Sequence, residues 1–131
     1  MPQPAIEIIL MRQLASYLAV PIFIVDVEGS VLFYNEPAEA IVGGRFDETG
    51  QLTLKELSDR MAVTTDDGEP VPLQHLPLAT ALEKRRAAHQ GFWIRGLDGV
   101  SRRIEVTAFP LEGQGGRHLG AVAIFWELPP V

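Results

Sequence analysis

The sequence predicts an α+β fold, an antiparallel sheet with short helices on one face and an N-terminal helix on the other. Three observations predict it. The chain opens on an amphipathic stretch, two apolar runs then flank a glycine turn, and the last third holds three strand-like segments in series. The 131 residues, 47% of them hydrophobic and 21% charged, suffice for one globular core.

The first element is an amphipathic helix, predicted over residues 5–18. Apolar side chains recur there at spacings of three and four, the period of one helical face. They are Ile6, Ile9, Leu10, Leu14, Tyr17 and Leu18. Ile8 and Met11 widen this stripe beyond one packing face. Two interpretations are open: burial in a single core, or additional packing against a partner subunit.

A hairpin and a capped helix are predicted between residues 21 and 43. IFIVD and SVLFYN flank a turn in which Gly29 supplies the positive φ. Asn35 suits an N-cap, because its side-chain oxygen can accept a hydrogen bond from the amide of Ala38. Gly43 then ends the helix in the left-handed conformation. Gly29, Asn35 and Gly43 are therefore assigned structural roles.

The middle of the chain is more polar and less regular. A short helical pattern covers residues 52–61, three prolines punctuate residues 70–77, and a second helix begins near Pro77 with Leu78, Ala81 and Leu82 on its inner face. We expect residues 45–71 to be the most adaptable part of the chain.

Three antiparallel strands are predicted at residues 89–95, 102–111 and 118–128. In the middle one, Ile104, Val106 and Ala108 share a face. The first strand of the hairpin and the final strand are apolar on both faces, as central strands are when both faces are covered. The helices between residues 36 and 86 can cover one face. The N-terminal helix is predicted to cover the other and to help form a homodimer.

These motifs, in this order, resemble the PAS domain family of sensory and interaction modules. The residues that carry the resemblance are PIFIVDVEGSVLFYNEPAEAIVG (21–43), DGEPVPLQHLPLATAL (67–82), GLDGVSRRIEVTAFPL (96–111) and GAVAIFWE (120–127). The resemblance spans residues 15–127 and implies a five-stranded antiparallel sheet of order 2-1-5-4-3. Together with the apolar periodicity at the N-terminus, it divides the chain into an N-terminal amphipathic helix at 1–20, a PAS-like domain at 21–128 and a short tail at 129–131.

Composition excludes several classes of function. The formal net charge of −6, without a long basic run, argues against a nucleic-acid partner. Without cysteine, thiolate metal sites, iron-sulfur clusters and cysteine-linked cofactors are excluded, and no metal site is predicted. No apolar stretch reaches the roughly 18 residues of a membrane span. We expect a cytoplasmic protein without a membrane partner, and Met1 favours a complete gene product.

The resemblance also implies a ligand site, since PAS domains often hold haem, flavin or a small metabolite between sheet and helices, whereas others hold nothing. Light-sensing members that form a cysteinyl-flavin adduct are excluded by the missing cysteine. Haem would need His75, His89 or His118 as axial ligand, and only His75 lies about where some haem-binding relatives place theirs. No specific set of residues that would bind a non-covalent flavin ring can be identified in the sequence. A small apolar or mixed metabolite, or a filled core, is preferred.

The candidate cavity is formed by apolar residues that the predicted helices and strands turn inward. They are Ile41, Leu57, Leu78, Leu82, Phe92, Ile94, Ile104, Val106 and Ala108. A rival hypothesis is acid-base catalysis on an apolar substrate by Asp26, Tyr34 or Glu105. Each of these three also has a plain structural explanation, and no catalytic motif accompanies them. We therefore predict no catalytic residues.

The resulting functional hypothesis is a non-catalytic PAS-type signalling domain that acts through homodimerisation and protein interaction. The predicted dimer contacts are Ile6, Ile9, Leu10, Leu14 and Tyr17. A ligand would reorder residues 45–82, and the sheet would transmit the change to the N-terminal helix. With no output domain after the last strand, the signal is expected to leave through association with a signalling protein. The alternative is a dimerisation module without a ligand.

Overall fold

In a computed structural model the chain is described for residues 6–49 and 52–128. The helices are α1 (Ile6–Tyr17), α2 (Glu36–Val42), α3 (Phe46–Thr49), α4 (Leu54–Met61) and α5 (Pro77–Lys84). The strands are β1 (Ile22–Asp26), β2 (Val31–Tyr34), β3 (Ala88–Arg95), β4 (Ser101–Glu112) and β5 (His118–Glu127). Short 3₁₀ turns occur at Leu73–His75 and Gln114–Gly116. The predicted tail, residues 129–131, lies outside the described residues, as does residue 5 of the predicted first helix.

The five strands form one antiparallel sheet of order β2-β1-β5-β4-β3, which confirms the predicted fold. β1 and β5 are central, and their register pairs Phe23 with Ala123 and Ile24 with Val122. Since side chains alternate across a strand, these two pairs lie on opposite faces of the sheet. Both pairs are buried, because each face of the sheet has a cover.

Local sequence signals determine the corner between the hairpin and α2. Gly29 has φ 85° in the β1–β2 turn, and Gly43 ends α2 with φ 82°. The side chain of Asn35 accepts a hydrogen bond from the amide of Ala38, as predicted for an N-cap. The predicted helix at residues 52–61 begins only at Leu54, because Thr53 and Glu56 form a capping box. The short helix α3 was not predicted.

The inner face of the sheet carries the main core, to which α2, α4 and α5 contribute. Its strand side chains include Phe23, Phe92, Ile104, Val106 and Phe125. α5 packs on β3, β4 and β5. This layer contains the space in which a ligand could be held.

The outer face carries a second, smaller core beneath α1. Ala15 is fully buried against β1 and β5, and Ile8 and Met11 pack beside it. Glu7 accepts a hydrogen bond from the Gln114 amide at 3.2 Å, and the guanidinium of Arg12 lies 5.0 Å from the Phe33 ring centroid. α1 is thus attached to the sheet by one narrow apolar face and by polar contacts along its length.

Neighbouring segments touch both edge strands. Beside β2, the amide of Val31 donates to the Leu52 carbonyl at 2.8 Å, and Ser30 bridges Thr53. Beside β3, Thr64 and Trp93 exchange two backbone hydrogen bonds, at 2.9 and 2.8 Å. Each edge of the sheet is therefore paired at one point by a segment that leads into or out of α4.

Candidate ligand cavity and association surface

A cavity of about 90 Å³ lies between the inner face of the sheet and the helices. α4 and α5 form one wall, and β1, β3, β4 and β5 form the other. The lining residues are Phe23, Val42, Leu54, Leu57, Ser58, Met61, Val63, Leu76, Pro77, Leu78, Phe92, Ile94, Ile104, Val106, Ala123 and Phe125. Apolar side chains line the space on both walls.

Six of the nine residues predicted for the cavity border it. These are Leu57, Leu78, Phe92, Ile94, Ile104 and Val106. Ile41 and Ala108 are buried in the same core but do not reach the cavity. Leu82 is half-buried and faces a separate surface groove beside Glu28 and Lys55. Whether the six contact a ligand stays a prediction.

Sequence reasoning missed the cavity residues that depend on long-range register. Phe23, Ala123 and Phe125 come from the two central strands, where both alternating sets are apolar and the inner set has no distinguishing mark. The positions of Met61 and Val63 at the cavity depend on where α4 ends, and it ends where Ala62 adopts a left-handed φ of 47°. The continuation of the apolar pattern of α4 to Met61 was the signal that could have found the first of these.

The chemistry of the cavity suits a small, uncharged, apolar guest. Ser58 carries the only side-chain hydroxyl among the described lining residues, and it donates to the Lys55 carbonyl at 3.0 Å. A pocket that buries a drug-sized ligand has a volume of about 300–1,000 Å³. The observed volume is several times smaller, so haem and flavin do not fit this cavity as it stands.

The three histidines also give no support for haem, because none of them borders the cavity. His75 is exposed at the end of a 3₁₀ turn. His89 lies on the outer face, with Nε2 2.9 Å from Glu105. His118 is half-buried, with Nε2 3.0 Å from the carbonyl of Leu82. Among residues 6–49 and 52–128, no cluster of His, Asp or Glu could hold a metal ion.

The acid-base candidates have structural partners and lie apart from the cavity. Asp26 accepts hydrogen bonds from the amides of Glu28 and Ser30, both at 2.9 Å, and so closes the β1–β2 turn. The buried Tyr34 donates its hydroxyl proton to the Gly44 carbonyl at 3.0 Å. Glu105 accepts from Arg103 on the outer face of β4. This arrangement gives no substrate-facing acid or base.

A polar cluster crosses the β3 edge of the sheet. Arg103 donates to Asp66 through Nε at 2.8 Å and through Nη2 at 3.2 Å, and the Trp93 indole donates to the same carboxylate at 2.9 Å. The hydrogen bond from Arg103, followed by that from Trp93, lowers the pKa of Asp66 from its ordinary value. In turn, the Asp66 carboxylate raises the pKa of Arg103. The cluster is therefore ionised at neutral pH.

The predicted dimer contacts share the outward face of α1. Ile6, Ile9, Leu10, Leu14 and Tyr17 are each between 46% and 85% exposed. Within the described chain they form an apolar stripe opposite Ile8, Met11 and Ala15, so α1 has two apolar faces. The apolar spacing therefore predicted the helix correctly. However, the side chains that pack on the sheet are Ile8, Met11 and Ala15, and not the residues of the predicted stripe.

The five-stranded antiparallel sheet of this order, with helices over a small apolar cavity, is the architecture that the sequence resemblance implied. The family model described as the PAS fold matches residues 10–126, and the chain belongs to this family. PAS domains are sensory and signalling modules that are generally non-catalytic. Of the described helices, none is long and apolar enough to cross a membrane.

Solved structures share the fold at low sequence identity. The PAS domain of a protein from Colwellia psychrerythraea has a TM-score of 0.67 and 16% identity over 92% of this chain and 96% of its own. The PAS domain of BvgS from Bordetella pertussis has a TM-score of 0.66 and 18% identity, covering 96% and 89%. The PAS domain of nitrogen regulation protein NR(II) from Vibrio parahaemolyticus has a TM-score of 0.63 and 18% identity, covering 91% and 98%. A comparison with curated protein sequences finds no significant match.

Proposed function

We propose that this PAS domain is a non-catalytic signalling module that acts through homodimerisation and protein interaction. The two-faced apolar character of α1 carries the proposal. Its inner face already has a partner in the sheet, whereas its outer stripe exposes five large apolar or aromatic side chains. An exposed apolar patch of this kind marks an interaction site on a soluble protein.

A second copy of the chain is the partner that fits this stripe. Ile6, Leu10 and Leu14 repeat at intervals of four, which forms a continuous ridge along one helix. Two such ridges can interdigitate about a twofold axis, so that each copy buries the same residues of the other. Gln13 lies within the stripe, and a polar residue in an apolar helix interface can determine the register of the two helices.

The ligand-responsive form of this function is the second candidate, and the cavity favours it. Leu54, Leu57, Met61 and Leu78 bring the segment between residues 45 and 82 into contact with the space. A small apolar ligand would act on the dimer only if it bound two arrangements of that segment with different affinity. If no ligand binds, the chain is a structural dimerisation module.

Sedimentation equilibrium of the purified protein tests the dimer. We expect a dimer mass for the unaltered chain and a monomer for the double variant L10E/L14E, because the substitutions place four charges in one twofold interface. Val100→Glu is the matched control, since it replaces an apolar residue that is also exposed, at the turn between β3 and β4. A monomeric parent chain, or a double variant that remains dimeric, would contradict the proposal.

A further inference from the structure

We propose that Asp66 is a latch that holds α4 over the cavity and thereby sets the rate at which small apolar molecules enter and leave. The inference rests on the ligand-responsive form of the proposed function. It concerns access to the cavity and does not depend on dimerisation.

α4 has the packing of a lid. Its three buried side chains, Leu54, Leu57 and Met61, all border the cavity. Atoms that face a void lack contact partners on that side and lose the corresponding dispersion energy. α5 differs because it packs directly on three strands. Of these two helices in the cavity wall, α4 is therefore the one whose displacement breaks fewer contacts.

The two ends of α4 are attached in different ways. At the start, the Leu54 amide donates to the Gly29 carbonyl at 2.7 Å, within the turn that also pairs with β2. At the end, Ala62 turns the chain with its left-handed φ, and Thr64 alone pairs with β3 at Trp93. Each end of α4 is therefore tied to the sheet or its β1–β2 turn by two backbone hydrogen bonds, and the end that leads to Asp66 is also held by side chains of the sheet.

Asp66 reinforces the C-terminal end of α4 from the opposite side of the sheet. Val63 borders the cavity on the inner face, whereas Asp66, three residues further along the chain, is held by Arg103 on the outer face. The segment thus wraps around the edge strand and is gripped behind it by a bidentate, charge-assisted pair and by the Trp93 indole. To lift the end of α4, these three hydrogen bonds must break or the segment must stretch.

Gly91 in β3 leaves room for the side chains that hold Asp66. A Cβ at Gly91 would meet Glu105 Oε1 at 2.6 Å and Arg103 Nη1 at 2.8 Å. The missing side chain therefore lets Arg103 and Glu105 lie flat across β3, where Glu105 accepts from Arg103 at 3.3 Å. Arg103 is held in place on the sheet, so the mobile partner in the pair is the segment that carries Asp66.

Exchange of xenon measured by ¹²⁹Xe saturation-transfer NMR tests the latch, because xenon is apolar and small enough for the cavity. We expect Asp66→Asn to exchange about fivefold faster than the parent chain, with the affinity for xenon unchanged because Asp66 does not border the cavity. Asp67→Asn is the matched control. It removes the same charge one residue away, at a carboxylate with no side-chain hydrogen bond among the described contacts, and should exchange at the parent rate.

Arg103→Gln provides a second variant that removes the latch from the sheet side. It should accelerate exchange to a similar extent, and the double variant with Asp66→Asn should add little, since both remove one interaction. Equal exchange rates in Asp66→Asn and Asp67→Asn would overturn the inference, as would the absence of bound xenon in every variant. Sedimentation of the same samples reports the dimer separately, so failure of the latch and failure of the proposed association are distinguishable.

Discussion

Replacement of Asn35 by Ala removes four hydrogen bonds from a side chain that is only 2% exposed. Its Oδ1 accepts from the amides of Ile22 at 3.0 Å and Ala38 at 3.2 Å. Its Nδ2 donates to the carbonyls of Ala15 at 3.0 Å and Val20 at 2.8 Å. Asn35 therefore joins the start of β1, the start of α2 and the end of α1.

We expect Asn35→Ala to lower the free energy of unfolding by about 3 kcal/mol, from a net value of about 1 kcal/mol for each neutral hydrogen bond. The estimate is below four such bonds because the Ala15 carbonyl keeps a bond from Leu18, at 3.3 Å. Urea unfolding followed by circular dichroism measures the change. Since one of the bonds holds the end of α1 and another holds the segment that follows it, the amides of α1 should also exchange with solvent sooner than those of β4 and β5.

Thr53→Ala is the control for the capping contribution alone. Thr53 caps α4 through one bond from the Glu56 amide, at 3.1 Å, and its loss should cost about 1 kcal/mol. A loss for Asn35→Ala no larger than that for Thr53→Ala would refute the reasoning that one side chain joins three elements. Unchanged protection of α1 in hydrogen exchange would refute its role in holding that helix.

Two further predictions concern pH and the cavity. The folded pKa of Asp66 is below its ordinary value near 3.8, so the stabilisation from Arg103 is complete above that value and is lost as pH falls through the lowered one. The difference in urea midpoint between the parent and Asp66→Asn should therefore shrink between pH 6 and pH 2, and a constant difference would contradict the ion pair. Ala108→Val should lose about 1–3 kcal/mol of stability through overpacking, whereas Ala123→Val, across the strand pair but bordering the cavity, should lose little. Equal losses in thermal or urea unfolding would show that no usable space exists at Ala123.

The parts of the fold that were predictable from sequence are those encoded by neighbouring residues. Gly29, Asn35 and Gly43 each act within a turn or cap of three to five residues, and all three do what the sequence indicated. The sheet order required the family resemblance together with the apolar character of β1 and β5 on both faces. Periodicity alone was insufficient, because the alternation of side chains identifies the two faces of a strand but not the strands beside it.

The candidate site was only partly predictable, because its shape depends on how distant elements are rotated against each other. Leu78 and Leu82 occupy the same side of one helical pattern, yet only Leu78 borders the cavity. The Asp66 cluster joins residues 27 and 37 positions apart, and no local motif marks such a contact. For α1, the sequence pattern indicated the outward apolar stripe. It did not indicate that the narrower set containing Ala15 is the one that packs on the sheet.

The segments paired with the two edges of the sheet bear on how this protein resists edge-to-edge aggregation. An open edge strand offers a row of unpaired amides and carbonyls to any extended chain, which is the usual first step toward fibrous aggregation. Here Leu52 occupies a position beside β2, and Thr64 occupies one beside β3. A foreign strand that paired along the full length of either edge would have to displace the segment before or after α4. The molecule therefore exposes an apolar helix stripe, while each edge of its sheet carries a short pairing segment that limits its sideways growth.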